Sequence, residues 1–506
     1  MSGGPSYVDD DGDVQYRWFN LYATPNDTGA PREATMTIAS QAYGEVTVRV
    51  VQETFVYPRS ASVIPPASAT PFAPFQLGIS LDTDNPDDYE FMGYNFISGD
   101  GAQARWTEDG IVCINPGTLA VYAYYYNPRT DFYKEYDPVE ITIAEPAAPN
   151  QWYFLIRRDN KPYLIHRVGS TDMSVELSNN ELAQANEMAF SADGSTVYVV
   201  GAVPGDNDAL IPCLWTYDGL TASRTDYSDY PNLRATDLAI DNSDVYILVS
   251  DSSPEGSIDF LVLKNGEEDG RYILNPSYEP RYNISDITAE GGKYYLCGAN
   301  MRNSENYDSP YYWKNLTLSS THYAWPLPQH DLGSSYLSNP RYYPESIAVK
   351  DGEPYVVGSV RYSYGDFMIF RRALYWEGDQ EAPTHLGPYY SGSSTSGTYY
   401  MLHSIVKSNG HFVLVGEVYQ DHNSYKDNWS PLLFYDELKT YASIPLEYSS
   451  AMAALNDVCL YDGVPALGGT LVDAGNTPHP AFWEAPWKEP FQWPNDSDTI
   501  VDFLVK

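Results

Sequence analysis

The sequence predicts an all-β protein in which small N-terminal β-sandwich modules precede a seven-bladed β-propeller with a composite closing blade. Three observations predict it. Short runs of Val, Ile, Tyr and Phe bounded by Gly, Asn, Asp and Pro recur along the chain, and "NNELAQANEMA" is the one modest helix signal. Six segments repeat a single pattern at similar spacing, and proline-rich stretches set the repeats apart from what precedes them. With 506 residues, the chain is too long for one ordinary core and suggests roughly three domains.

"YPRSASVIPPASATPFAPF" (Tyr57 to Phe75) and "AEPAAPNQ" (Ala144 to Gln151) read as linkers, because proline cannot join interior ladders and favours extended chain. They divide the chain into residues 1–57, a partial β-module; 58–146, a β-sandwich; and 147–506, the propeller. In the first module, "PNDTGAPREATMTI" is followed by the alternating "VTVRVVQ", with a turn residue at Asn26, then Arg32, and Gln52 closing the last strand. This stretch, Ala23 to Glu53, resembles the C-terminal half of the BACON (Bacteroidetes-associated carbohydrate-binding often N-terminal) domain. The resemblance implies a small β-sandwich, often a spacer, in a cell-surface protein. In the second module "VYAYYYNP" resembles fimbrillin-type surface sandwiches, and the expected fold is immunoglobulin-like or related. Such multidomain proteins are commonly exported as lipoproteins. The resemblance therefore implies that "SGGPSYVDDDGD" follows a lipidated cysteine, on the cell surface or outside the cell; read from composition alone, it is an acidic disordered terminus.

The repeats begin at Met188, Leu238, Ile287, Ile347, Ile405 and Val458, separated by 50, 49, 60, 58 and 53 residues. Each is a short apolar strand, a turn rich in Asp, Asn or Gly, and a second apolar strand that usually ends in glycine. A polar loop and a third strand follow, ending in signatures such as "WTYDG", "LYWEG" and "AFWEA". The spacing suits four strands per unit and blade-like repetition. "WYFLIRRDNKPYLIHR" (Trp152 to Arg167) and "TIVDFLVK" (Thr499 to Lys506) remain at the two ends and together supply the strands of a seventh blade, which leaves no open edge. Two β-sandwiches with coincidental similarity are the alternative. "SADGSTVY" reads as a Ser-x-Asp-Gly hairpin turn.

Composition bounds the partners. The net charge of −39, from 68 acidic and 29 basic residues, repels phosphate backbones and anionic lipid, so nucleic acid is excluded and a membrane is expected only through a lipid anchor. Cys113, Cys213, Cys297 and Cys459 lie far apart in apolar strands and read as buried free thiols rather than a disulfide or zinc set. No metal or cofactor site is expected, and "DTDNPDD" (Asp82 to Asp88) lacks EF-hand spacing. No HExxH, GxSxG or P-loop is present, so no catalytic residue is assigned.

The 46 tyrosines are the compositional anomaly. In a propeller, the segments entering the inner strands and the loops between second and third strands share one face. They bring Arg234, Arg281, Arg341, Tyr342, Tyr343, Tyr362, Tyr364, Tyr399, Tyr400, Tyr425 and Trp429 to it, as candidate ligand-binding residues. A tyrosine ring offers an apolar face and a hydroxyl, suiting a sugar or extended peptide, and the arginines suit an anionic group. The plain alternative is that the tyrosines pack neighbouring sheets and the arginines pair with Asp. Glu187, Asp237, Asp286, Glu345 and Asp457 are expected near the channel mouth, where solvated acids are the ordinary reading and a glycosidase pair the sharper one. The function expected is a cell-surface protein that binds glycan or another extracellular partner; the alternatives are a propeller glycoside hydrolase or lyase, and a structural surface component.

Overall fold

The computed structural model describes residues 30–506 except 41–43, 53–56, 84–89, 99–101, 108, 129–130, 206–208, 252–258, 274–280, 302–308, 316–324, 328–336, 365–367, 378–382, 387–397, 421–427, 436–440, 444–451, 473–477 and 494–497; in several strands beside these segments only the backbone is described. The named elements are all strands, and no described helix is long and apolar enough to cross a membrane. The chain divides into two compact units, Met1–Glu145 and Pro146–Lys506.

In the first unit, Arg32–Ser40 pairs with Gly44–Gln52 as an antiparallel hairpin in which Arg49 bridges to Glu33. No strand pairing joins this hairpin to the strands from Ser60 onward among the described residues. Those later strands form a four-stranded sheet around Gly117–Asn127 and two two-stranded sheets, packed on a core that includes Phe75, Ile111, Leu119, Val121 and Ile141.

The second unit is built from seven four-stranded antiparallel sheets. Sheet 1 combines Gln151–Arg158, Lys161–Val168 and Thr171–Glu176 with the C-terminal strand Thr499–Val505, which pairs with Gln151–Arg158 as the inner strand. The first strands of sheets 2 to 7 are Gln184–Phe190, Arg234–Asp241, Arg281–Glu290, Leu337–Lys350, Thr398–Ser408 and Met452–Tyr461, each followed by three further strands in sequence order. These six strands and Thr499–Val505 contact one another cyclically, the last of them meeting both Met452–Tyr461 and Gln184–Phe190. The unit is thus a β-propeller-like ring.

Local chemistry explains the repeats. Asp351-Gly352, Asn409-Gly410 and Asp462-Gly463 all take positive φ, as two-residue hairpin turns require. Trp215, Trp313, Trp376 and Trp483 occupy matching third-strand positions, where each is fully buried, so the "W" of the third-strand signature fills the core of its sheet. The second-strand glycine has a steric cause: a Cβ at Gly201, Gly298, Gly358 or Gly416 would lie 1.9–2.2 Å from a carbonyl oxygen of the facing first strand. In sheet 3 the matching position is Val249.

Candidate functional site

Each inner strand is interrupted at the same place. The register shifts between Ala185 and Glu187, Ala235 and Asp237, Ile284 and Asp286, Pro344 and Ser346, Leu402 and Ser404, Leu455 and Asp457, and in sheet 1 where Val501 is the extra residue. A bulge sets two residues against one partner and re-aims their side chains. Because the inner strands meet in a cycle, the bulges define two adjacent circles. The outer one holds Asn186, Thr236, Ser285, Glu345, His403, Asn456 and Val501; the deeper one holds Glu187, Asp237, Asp286, Ser346, Ser404, Asp457 and Asp502.

The deeper circle corrects the expectation of solvated acids. Asp237 accepts the N–H of Leu238 in its own strand at 2.7 Å and that of Ile287 in the next sheet at 3.0 Å. Asp286 accepts from the Ser346 hydroxyl at 2.6 Å and the Ile347 N–H at 2.8 Å. The Ser404 hydroxyl donates to Asp457 at 3.0 Å, and Asp502 accepts the N–H of Phe503 and, in sheet 2, of Met188. These bonds run from sheet to sheet, so the carboxyls staple the ring. Burial pushes all five acids above the usual carboxylate range, Asp286 to about 6 and Asp502 to about 8; the neighbouring Asp457 adds to the shift at Asp502. Asp502 beside Glu187, and Asp286 beside Asp237, add to the upward shift of Glu187 and Asp237. Among the described residues, no three His, Cys, Asp or Glu side chains form a metal-binding group.

In the outer circle, charge concentrates at one place. His403 Nδ1 lies 3.1 Å from Glu345 Oε2, and Nε2 lies 3.5 Å from Glu417 Oε1 on the second strand of sheet 6. Burial works against the imidazolium, but the hydrogen bond to Glu345 and the nearby Glu417 carboxylate outweigh it and raise the pKa to about 9. His403 and Glu417 carried no functional expectation, and the only sequence signal for His403 is its position one residue before the strand-start Ser404. A cavity of about 320 Å³ lies beside the last two inner strands, lined by Asn456, Asp457, Thr470, Phe482 and Asp502 among others.

The expected ligand-binding residues fall into three groups. Tyr342 and Tyr400 are only 1% and 8% exposed and pack between sheets, so they are core residues and not a stacking surface; each alternates with a neighbour on the other side of its strand. Arg234 donates to Gln184 of the preceding sheet at 3.1 Å, while Tyr343 and Arg341 are half-buried. For Arg281, Tyr362, Tyr364, Tyr399 and Trp429 only the backbone is described, and Tyr425 lies outside the described residues. Tyr342, Tyr343, Tyr399 and Tyr400 lie within inner strands rather than before them, and Tyr362, Tyr364 and Trp429 lie in strands rather than loops.

The strands of two sheets are longer than expected. Those of sheet 5 run to 14, 12 and 10 residues and those of sheet 6 to 11, 10 and 8, against 7, 8 and 8 in sheet 2. The extra residues precede the bulge, on the side away from the first hairpin turn. They carry two in-register rows: Arg341, Arg361 and Arg371 in sheet 5, and Tyr399, Tyr419 and Trp429 in sheet 6.

No family model and no curated protein matches the chain. Among solved structures it is similar to the β-propeller domain of the Trilobed protease from Pyrococcus furiosus, with 9% identity, 78% of this chain and 97% of that one covered and a TM-score of 0.38. It is similar also to the polysaccharide lyase Uly1, with 8% identity, 67% and 88% covered and a TM-score of 0.40. A prolyl endopeptidase shows 15% identity, 69% of this chain covered and a TM-score of 0.39, and the chain spans about half (49%) of its length. At such identities and scores, no chemistry is carried over from these neighbours.

Proposed function

We propose that the ring is a seven-bladed β-propeller closed by a composite blade, and that its face on the side of the lengthened strands binds glycan at the surface of a cell. The N-terminal unit, read as sandwich modules, serves as a spacer. The observation that carries the glycan reading is the row Tyr399, Tyr419 and Trp429, at directly opposed positions on three neighbouring strands of sheet 6. Opposed residues lie on one side of a sheet, and strands are spaced about 4.8 Å apart. Such a row presents successive aromatic positions to a chain of sugar rings, whose C–H faces pack on aromatic rings.

The test is binding of the full chain to a glycan array, with Tyr399→Ala and Trp429→Ala alongside. Each substitution is expected to weaken binding by about 0.5–1.5 kcal/mol with the melting temperature retained. Absence of any glycan ligand contradicts the reading.

A second reading, a glycoside hydrolase or lyase, draws support from His403 between Glu345 and Glu417. A histidine charged at neutral pH is placed to donate a proton to a leaving oxygen. Sugar release by the wild type that His403→Gln abolishes, with binding intact, favours this reading; release unchanged by the substitution removes it.

A further inference from the structure

We infer that the arginine row of sheet 5 is an anion site, and that the glycan taken by this face is a polyanion bearing carboxylate or sulfate groups. The inference rests on the glycan reading above and adds the substrate class. Arg341 pairs with Arg361 across the first two strands, and Arg361 pairs with Arg371 across the next two, so three arginines stand in one line across the sheet. Arg281 of sheet 4 lies four residues before its bulge residue Ser285, as Arg341 lies four before Glu345 and Tyr399 four before His403. The arginine positions thus run across two sheets, and the aromatic row of the third stands at the same number of residues before its bulge.

This concentration is contrary to the rest of the chain, which has 29 basic against 68 acidic residues. Like charges directly opposed across strands are destabilising. Two neighbouring positions show that burial does not explain the row. Tyr342 and Val360, next to Arg341 and Arg361, are buried in the core with Trp376, whereas Arg341 and Arg361 themselves are half-buried. Arg361 has no ion pair among the described residues. Arginines at opposed positions suit repeated anionic groups along a polymer, because a planar guanidinium fork engages a carboxylate or sulfate through two N–H donors. A chain of net charge −39 otherwise repels a polyanion, so binding of one identifies a local basic site.

The test uses the full chain with sodium polygalacturonate, dextran sulfate and neutral dextran, measured by affinity electrophoresis and calorimetry over a salt series, on the wild type, R361Q/R371Q and Tyr399→Ala. The expected result is at least about tenfold tighter binding of one charged polymer than of neutral dextran, weakening as salt rises. R361Q/R371Q is expected to abolish that preference while melting no lower than the wild type, since it relieves an opposed like-charge row. The polymer bound identifies the anionic group. Equal binding of charged and neutral polymers, or a charged-polymer preference that R361Q/R371Q leaves intact, overturns the anion site and leaves the glycan reading standing. No binding of these polymers or of any glycan on the array overturns both. If R361Q/R371Q does not fold, the wild-type salt series decides, and salt-independent binding of the charged polymers counts against the inference.

Discussion

Asp502 Oδ2 on the C-terminal strand accepts the backbone N–H of Met188 at 2.8 Å, across 314 residues of sequence. The same carboxylate stands beside the Glu187 and Asp457 carboxyls, so one side chain links the last strand to the inner strands on both sides of it. Ring closure and the circle of acids, of which Asp502 is buried and the others half-buried, are therefore one feature, and it governs how stability depends on pH.

Stability is expected to fall as pH rises from about 5 to about 9. A carboxyl whose pKa is raised by folding holds its proton more tightly in the folded state, so its contribution is complete below the unfolded value near 4 and is lost as pH climbs through the folded one. That window closes near 6 for Asp286 and near 8 for Asp502. His403 acts in the same direction, its contribution being lost through about 9. Thermal melting across this range, compared with Asp502→Asn, checks it: the wild type should lose melting temperature steadily and the variant should show a shallower slope between about pH 5 and 8. A parallel slope in the variant contradicts the assignment.

Closure has a second fixture. Asp498, fully buried, accepts two hydrogen bonds from Arg158, at 2.8 and 2.6 Å, and one from the Trp493 indole at 3.0 Å. Asp498→Ala leaves the indole N–H and the guanidinium without their acceptor and is expected to cost about 2–4 kcal/mol in urea unfolding. A loss under about 0.5 kcal/mol would place the joint elsewhere.

Gly358→Ala is expected to destabilise by about 2–4 kcal/mol, because its Cβ would lie 2.0 Å from the Tyr343 carbonyl oxygen at the bulge. Equilibrium unfolding of this variant measures how far the bulge backbone can retreat; a neutral result would show that the first strand moves freely.

All four cysteines are free; Cys113, Cys213 and Cys297 are buried and Cys459 is half-buried. Burial raises their thiol pKa values, that of Cys113 to about 12. Native thiol labelling should be slow at all four, with Cys459 reacting first. Rapid labelling of Cys213 or Cys297 would mean that sheet 2 or sheet 4 opens readily.

The hairpins were legible because Asn-Gly and Asp-Gly turns and alternating apolar runs are local signals, and the third strands because each carries a large apolar residue at or just before its end. The bulges were not, since an inserted residue is defined only against a partner strand. Without them Asp237 and Asp286 read as ordinary acids at strand starts, although an acid stands directly before Met188, Leu238, Ile287, Val458 and Phe503 alike. For the same reason Tyr342 and Tyr400 were indistinguishable from their neighbours: strand alternation sends one tyrosine of each pair into the core, and the register that decides which is set by the bulge.

The most direct measurement of where a ligand sits is hydrogen–deuterium exchange of the full chain with and without sodium polygalacturonate, dextran sulfate and neutral dextran in turn. Binding on the proposed face predicts slowed exchange in peptides covering Leu337–Tyr343 and Thr398–Met401, the lengthened starts of the sheet 5 and sheet 6 inner strands. Slowed exchange confined to the opposite end, at Asp351-Gly352 and Asn409-Gly410, or to Met1–Glu145, would contradict it.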